Sequence, residues 1–63
     1  MMIVKMLKNG EEVSRGYNAD EDAARNDAIR NYYVKGDHGL SHDDLWDRIE
    51  EGEFEFIITQ FGN

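Results

Sequence analysis

Cysteine and proline are both absent from the 63-residue chain. Without cysteine there can be neither a disulfide framework nor a thiolate zinc site. No proline-rich or low-complexity stretch divides the chain and no internal repeat appears, so residues 1–63 are expected to form a single compact domain. Positive charge is scarce: seven Lys and Arg stand against fourteen Asp and Glu, a formal charge of -7. A field of that sign repels phosphates and disfavours direct nucleic-acid binding. Long apolar runs are also missing. Met1-Met2-Ile3-Val4-Lys5-Met6-Leu7 is too short and too soon interrupted to be a signal peptide or a membrane span, so a cytoplasmic protein without a membrane partner is expected.

What is present is a globular pattern, with 40% hydrophobic residues in ordered spacing. A chain this short buries only about 60% of its unfolded surface. Most of its large side chains are therefore needed for the core, which leaves little room for a catalytic cleft. Asn9-Gly10 marks a β-hairpin over residues 2 to 17, because both central positions of a type I′ turn need positive φ. That turn pairs Lys8 with Glu11, Met6 with Val13, Val4 with Arg15 and Met2 with Tyr17, and it gives a core face of Met2, Val4, Met6, Val13 and Tyr17. Asn18 with Glu21 reads as a capping box opening a helix from about Ala19 to Tyr33. Ala24, Ala28, Ile29 and Tyr32 lie at helical spacing there, and the alanines imply close approach to the sheet. After a loop bracketed by Gly36 and Gly39, Ser41 caps a second helix that runs to about Glu51 and stops at Gly52, with Leu45, Trp46 and Ile49 as its apolar stripe. The alternating segment from Glu53 to Phe61 reads as a strand with Phe54, Phe56 and Ile58 on one side. The expected fold is α+β, ordered β-β-α-α-β: a three-stranded antiparallel sheet with two helices on one face.

Candidate chemistry is sparse. His38 and His42 are four apart and precede Asp43 and Asp44, which invites a metal reading. However, Gly39 and the Ser41 cap fall between them, so they read as a loop histidine and a first-turn helix residue, with no metal or other cofactor expected. General acid–base work needs a carboxylate in a dry pocket, whereas these are placed to face water. Tyr32, Tyr33 and Trp46 lack a basic groove around them and read as core and helix-end packing rather than a base-stacking platform.

The carboxylates are the informative feature. On the second helix Asp43, Asp44, Asp47, Glu50 and Glu51 fall opposite the apolar stripe, with Arg48 at the edge, and Glu53 and Glu55 prolong the acid run into the strand. A helix made acidic for solubility alone would mix signs. Asp43 and Asp47 are separated by about 6 Å along the axis, a spacing of the order of that between phosphates on a strand. Asp20, Glu21 and Asp22 form a secondary acidic patch that also suits a helix N-terminus, and Glu21 has Arg25 at i+4. The outer sheet face is expected to carry Ile3, Leu7, Ile57 and Phe61, with Lys5, Ser14, Glu53 and Glu55 among them, as an apolar interface for a partner or a second copy.

In size, lack of cysteine and proline, α+β pattern and the run from Asp43 to Glu55, the chain resembles the small acidic anti-CRISPR and anti-restriction inhibitors that bacteriophages encode, with the type I anti-CRISPRs the nearest comparison. That resemblance implies a DNA mimic acting by occupancy. Its partner would be a basic nucleic-acid-binding protein such as a subunit of a CRISPR effector (Cascade) complex in a bacterial cytoplasm, and no catalytic residues are implied. Two alternatives use the same residues differently. One is an antitoxin-like module, for which the hairpin followed by Ala19–Ala24 is the likeness and the missing DNA-binding extension the departure. The other is a small assembly module, monomeric or homodimeric, that works through the apolar sheet face.

Overall fold

The structure, a computed structural model, describes residues 1–61. It contains strands β1 (Met2–Lys8) and β2 (Glu11–Asn18), helices α1 (Glu21–Lys35) and α2 (His42–Glu50), and strand β3 (Glu55–Gln60). The sheet is antiparallel in the order β2-β1-β3, so the first strand is central and the last lies beside it. This is the α+β fold, in the β-β-α-α-β order, that the pattern predicts.

The hairpin begins as expected and then departs. Asn9 and Gly10 have φ of 54° and 80°, as a type I′ turn requires, and Lys8 pairs with Glu11. Leu7 faces Glu12, but Met6 faces Ser14, leaving Val13 as the extra residue of a β-bulge. Beyond it every side chain of β2 changes face. The pairs Met6–Val13, Val4–Arg15 and Met2–Tyr17 do not form; Met6, Val4 and Met2 face Ser14, Gly16 and Asn18 instead. Tyr17, expected in the core, is 51% exposed on the outer face, and Ser14, expected outside, donates from Oγ to the Ala28 carbonyl at 2.7 Å.

The physical reason lies under α1. A Cβ built on Gly16 would run into the Ala24 carbonyl oxygen and the Ala28 amide nitrogen. An unbulged hairpin would put Arg15 on the face that carries Val4. The bulge instead brings the one residue of β2 without a side chain beneath the alanine stripe of the helix.

Asn18 ends β2 opposite Met2 rather than capping α1. The cap is Asp20, whose side chain accepts from the Ala23 amide at 3.1 Å, and the helix extends to Lys35 rather than Tyr33. Both residues are good caps, and the ladder to Met2 decides between them. Arg25 does not pair with Glu21; its guanidinium lies 4.5 Å from the centre of the Phe56 ring, a cation–π contact. Ser41 caps α2 as expected, accepting from the Asp44 amide at 3.2 Å. The helix itself ends at Glu50, with Glu51 as its C-cap. Gly52 N–H to the Ile49 carbonyl and Glu53 N–H to the Arg48 carbonyl, both at 3.1 Å, close it as a Schellman motif.

Val4, Met6, Ala24, Ala28, Ile29, Tyr32, Leu45, Ile49 and Phe54 form one buried cluster, so both helices share the sheet face that carries Val4 and Met6. Toward the far end of β3 the helices no longer cover that face: Phe56 is half-buried and Ile58 is 42% exposed. The other face carries Ile3, Lys5 and Leu7, flanked by Glu12, Arg15 and Tyr17 on β2 and by Glu55, Ile57 and Thr59 on β3.

Candidate functional site

The rotation of α2 is fixed by Leu45 and Ile49, both buried in the common core. With those two inward, Asp43, Asp44, Asp47, Glu50 and Glu51 are all exposed. Among the described residues no salt bridge reaches any of the five. The predicted acidic face therefore exists as a free carboxylate surface.

Folding explains only part of this face. Asp43 and Asp44 stand in the first turn, where the helix dipole favours negative charge. Glu50 and Glu51 stand at the opposite end, where the same dipole opposes it by roughly 0.3–1 kcal/mol each. Asp47 has like-charge neighbours one turn away on both sides, Asp43 and Glu51, and each such pair is unfavourable by about 0.2–0.5 kcal/mol. Arg48, the one Lys or Arg of the helix, pairs with Glu53 at 3.4 Å and borders the same shallow concavity as Asp44, Asp47 and Glu51 without forming a salt bridge to them. Helix stability thus accounts for Asp43 and Asp44 but not for Asp47, Glu50 and Glu51.

The remaining predicted acids do not join it. Glu53 is held between Arg48 at 3.4 Å and Lys8 at 3.9 Å, which neutralises it and ties the end of α2 to the hairpin end of the sheet. Glu55 pairs in register with Leu7 and so lies on the outer sheet face, away from the helices. Asp20, Glu21 and Asp22 sit where β2 passes into α1, beside the Met2–Asn18 end of the sheet. They are thus at the end remote from Lys8 and Glu53, and Asp20 is engaged as the cap. Of the sequence-predicted set, Asp43, Asp44, Asp47, Glu50 and Glu51 form one exposed surface. Glu53 borders it in its ion pairs with Arg48 and Lys8, and Glu55, Asp20, Glu21 and Asp22 are elsewhere.

Three further cations are drawn to other partners. Arg15 grips both carboxylate oxygens of Glu12 at 3.0 Å and also reaches the Tyr17 hydroxyl at 3.3 Å. The hydrogen bonds that Arg15 donates hold Glu12 below the usual carboxylate range, and the same bonds raise Arg15 further above its own. Arg30 pairs with Asp27 at 3.5 Å, and Lys35 donates to the Val13 carbonyl at 3.0 Å.

On the outer sheet face Ile3, Leu7 and Ile57 lie in neighbouring register positions, and Phe61 continues the β3 alternation past the strand end. Ile3 is nearly buried although no helix covers it, whereas Ile57 is 45% exposed. Tyr17 belongs to this face as well, a residue missed because the bulge was not foreseen.

A second feature was also missed. Asn26, Ile29 and Arg30 of α1, Tyr33, His42 and Trp46 line a largely apolar groove of about 320 Å³ between the helices. Trp46 Nε1–H donates to His42 Nε2 at 3.3 Å, which makes that nitrogen an acceptor. His38 stacks on Tyr32 with ring centres 4.7 Å apart and accepts the Leu40 amide at Nδ1. Both histidines pack on Tyr33, with ring centres 5.9 Å away for His38 and 5.4 Å for His42, and among the described residues no three His, Asp or Glu side chains converge as a metal site. No described helix is long and apolar enough to cross a membrane.

No protein-family model, curated protein or solved structure matches the chain.

Proposed function

We propose that this protein is a non-catalytic inhibitor that lays the carboxylates of α2 into a basic nucleic-acid-binding groove of another protein, where phosphates would otherwise lie. The observation that carries this reading is the set Asp43, Asp44, Asp47, Glu50 and Glu51: exposed, outside any salt bridge among the described residues, and, at Asp47, Glu50 and Glu51, not accounted for by helix stability. Opposite potentials across such an interface speed encounter and fix orientation. Every carboxylate among the described residues lies at the surface, which favours action by occupancy over acid–base chemistry. The likeness in character to phage-encoded inhibitors makes the target-DNA groove of a type I CRISPR effector complex the partner to try first, with other defence nucleases next.

The test is competition: a labelled target duplex is bound to the purified effector and the protein is titrated in at rising ionic strength. Displacement that weakens steeply with salt is expected, because the contacts are between charges on open surfaces. Asp47→Lys or Glu50→Lys should abolish it, while Glu55→Lys, on the far side of the sheet, should leave it unchanged. Equal losses from all three variants would point to bulk charge and overturn the assignment of the α2 face.

A second reading rests on the outer sheet face, where Tyr17 and Ile57 are exposed beside Leu7. An assembly module working through that face would associate without regard to salt and would be insensitive to Asp47→Lys.

A further inference from the structure

The two edges of the sheet are finished differently. Along β2, Asn31 Nδ2 donates to the Arg15 carbonyl at 2.9 Å and Lys35 Nζ to the Val13 carbonyl at 3.0 Å, and the bulge at Val13 bends the strand. Bulges and lysines of this kind blunt an edge against unwanted pairing. Among the described residues nothing comparable guards β3. Its register with β1 runs unbroken from Leu7–Glu55 to Met2–Gln60, and the stretch from Phe56 to Phe61 has no charge, proline or glycine. Ile57 and Ile58, on opposite faces of this strand, are both well exposed.

The end of the ladder shows which backbone groups are free. Phe61 N–H donates to the Met1 carbonyl at 2.8 Å, so this residue spends its amide on the central strand. Antiparallel pairs alternate along a strand between hydrogen-bonded and non-hydrogen-bonded positions. Thr59, Ile57 and Glu55 therefore also turn their backbone groups toward β1, and Phe56, Ile58 and Gln60 turn theirs outward.

We propose that this open edge pairs antiparallel with the same edge of a second copy of the chain, about a two-fold axis at Ile58. In that register Ile58 faces its own counterpart and Phe56 faces Gln60 in both directions. All three outward-facing residues then fall in hydrogen-bonded positions, which makes about six new ladder bonds and one six-stranded sheet. A register shifted by a single residue aligns none of them. The charge pattern suits a second copy as well. Glu55, the one ionised side chain of the strand, comes opposite Phe61 and stays apart from its counterpart, whereas like charges directly opposed would be destabilising. The isologous match closes on itself, as two-fold interfaces do.

This inference is independent of the acidic-face reading, and the two answer oppositely to salt. Two chains of charge -7 repel, so screening strengthens the dimer while it weakens binding to a basic groove. Sedimentation of the full chain from micromolar to submillimolar concentration should show a monomer–dimer equilibrium that shifts to dimer with added salt. Ile58→Lys, which opposes two ammonium groups at the axis, should weaken it about tenfold or more, with circular dichroism verifying the fold. Ile58→Cys should form a disulfide-linked dimer under mild oxidation, while Ile57→Cys, displaced from its counterpart, should not. A chain that stays monomeric throughout overturns the proposal. So does a dimer that survives Ile58→Lys but is lost with Tyr17→Lys, which would place the contact on the outer sheet face.

Discussion

Replacing Gly16 by alanine is a direct test of how α1 meets the sheet. The added methyl would overlap the Ala24 carbonyl oxygen and the Ala28 amide nitrogen and would press on the carbonyl carbon of Asp27 at 3.0 Å. These are backbone atoms of a helix, so no side chain can rotate away. The helix must withdraw by about 1 Å to restore ordinary contact, and a gap of that size forfeits roughly a quarter to a half of each dispersion contact it opens. Ala24 and Ala28 are fully buried and would lose contact with β1 and β2 together. The Ser14 Oγ bond to the Ala28 carbonyl, 2.7 Å long, would stretch as well. Overpacking of a tight core costs about 1–3 kcal/mol. With rigid backbone on the receiving side and a hydrogen bond at risk, the expected loss is at the top of that range, about 3 kcal/mol. A domain of this size has a total stability of roughly 3–9 kcal/mol, so the loss would be a large fraction of the whole. Urea unfolding followed by circular dichroism reads it as a midpoint lowered by about 2–3 M, taking an m-value near the lower end for small proteins. Gly10→Ala is the matched control: its φ is 80° but nothing lies within 4 Å. Only the left-handed backbone is penalised there, at about 1–2 kcal/mol. If Gly16→Ala costs under about 0.5 kcal/mol, the size of an ordinary surface change, then α1 does not seat on Gly16 and the bulged register is wrong.

Other perturbations separate features close in sequence. Asp20→Ala should lower stability by about 1 kcal/mol and Asn18→Ala by less, because Asp20 is the cap of α1; thermal melts giving the reverse order would return the cap to Asn18. Ser14→Ala should cost about 1 kcal/mol through its lost bond to the Ala28 carbonyl, and an unchanged melting temperature would place that hydroxyl in water. Because Arg15 keeps Glu12 below the ordinary carboxylate range, the unfolded chain takes up a proton there more readily than the native one. The stability this pair contributes is then complete above the ordinary carboxylate range and is lost as pH falls through the lowered native value. Glu12→Gln should slightly flatten the acid side of a stability-versus-pH curve, and an unaltered slope would show the pair to be open in solution.

Much of the fold was legible because its signals are local. Asn9-Gly10 needs no tertiary information to specify a turn, Ser41 caps the helix that follows it, and the parity of Phe54, Phe56 and Ile58 fixes the inner side of β3. The bulge was not legible from alternation, since Val13 fits a core face in either register. Gly16 was the available clue: an isolated glycine inside a strand marks a bulge or a close backbone approach, and Ala24 and Ala28, one turn apart, supply the approaching surface. The acid set of α2 followed from helical periodicity alone. Glu53 could not be assigned that way, because one of its counter-ions, Lys8, lies at the other end of the chain and meets it only in the fold. Glu55 was separable by strand parity from the helix acids, although proximity in sequence had grouped them.

The central position of β1 has a consequence for the order of assembly. Its neighbour on one side arrives through a two-residue turn, while its neighbour on the other arrives only after both helices have been made. Contacts near in sequence form sooner than distant ones, so the hairpin and α1 constitute the early unit and β3 zips onto a template already shaped. Until it does, the polar backbone groups along one whole side of β1 wait for water or for a stranger. A nascent chain interrupted before Glu55 would leave that row unpaired beside Val4 and Met6.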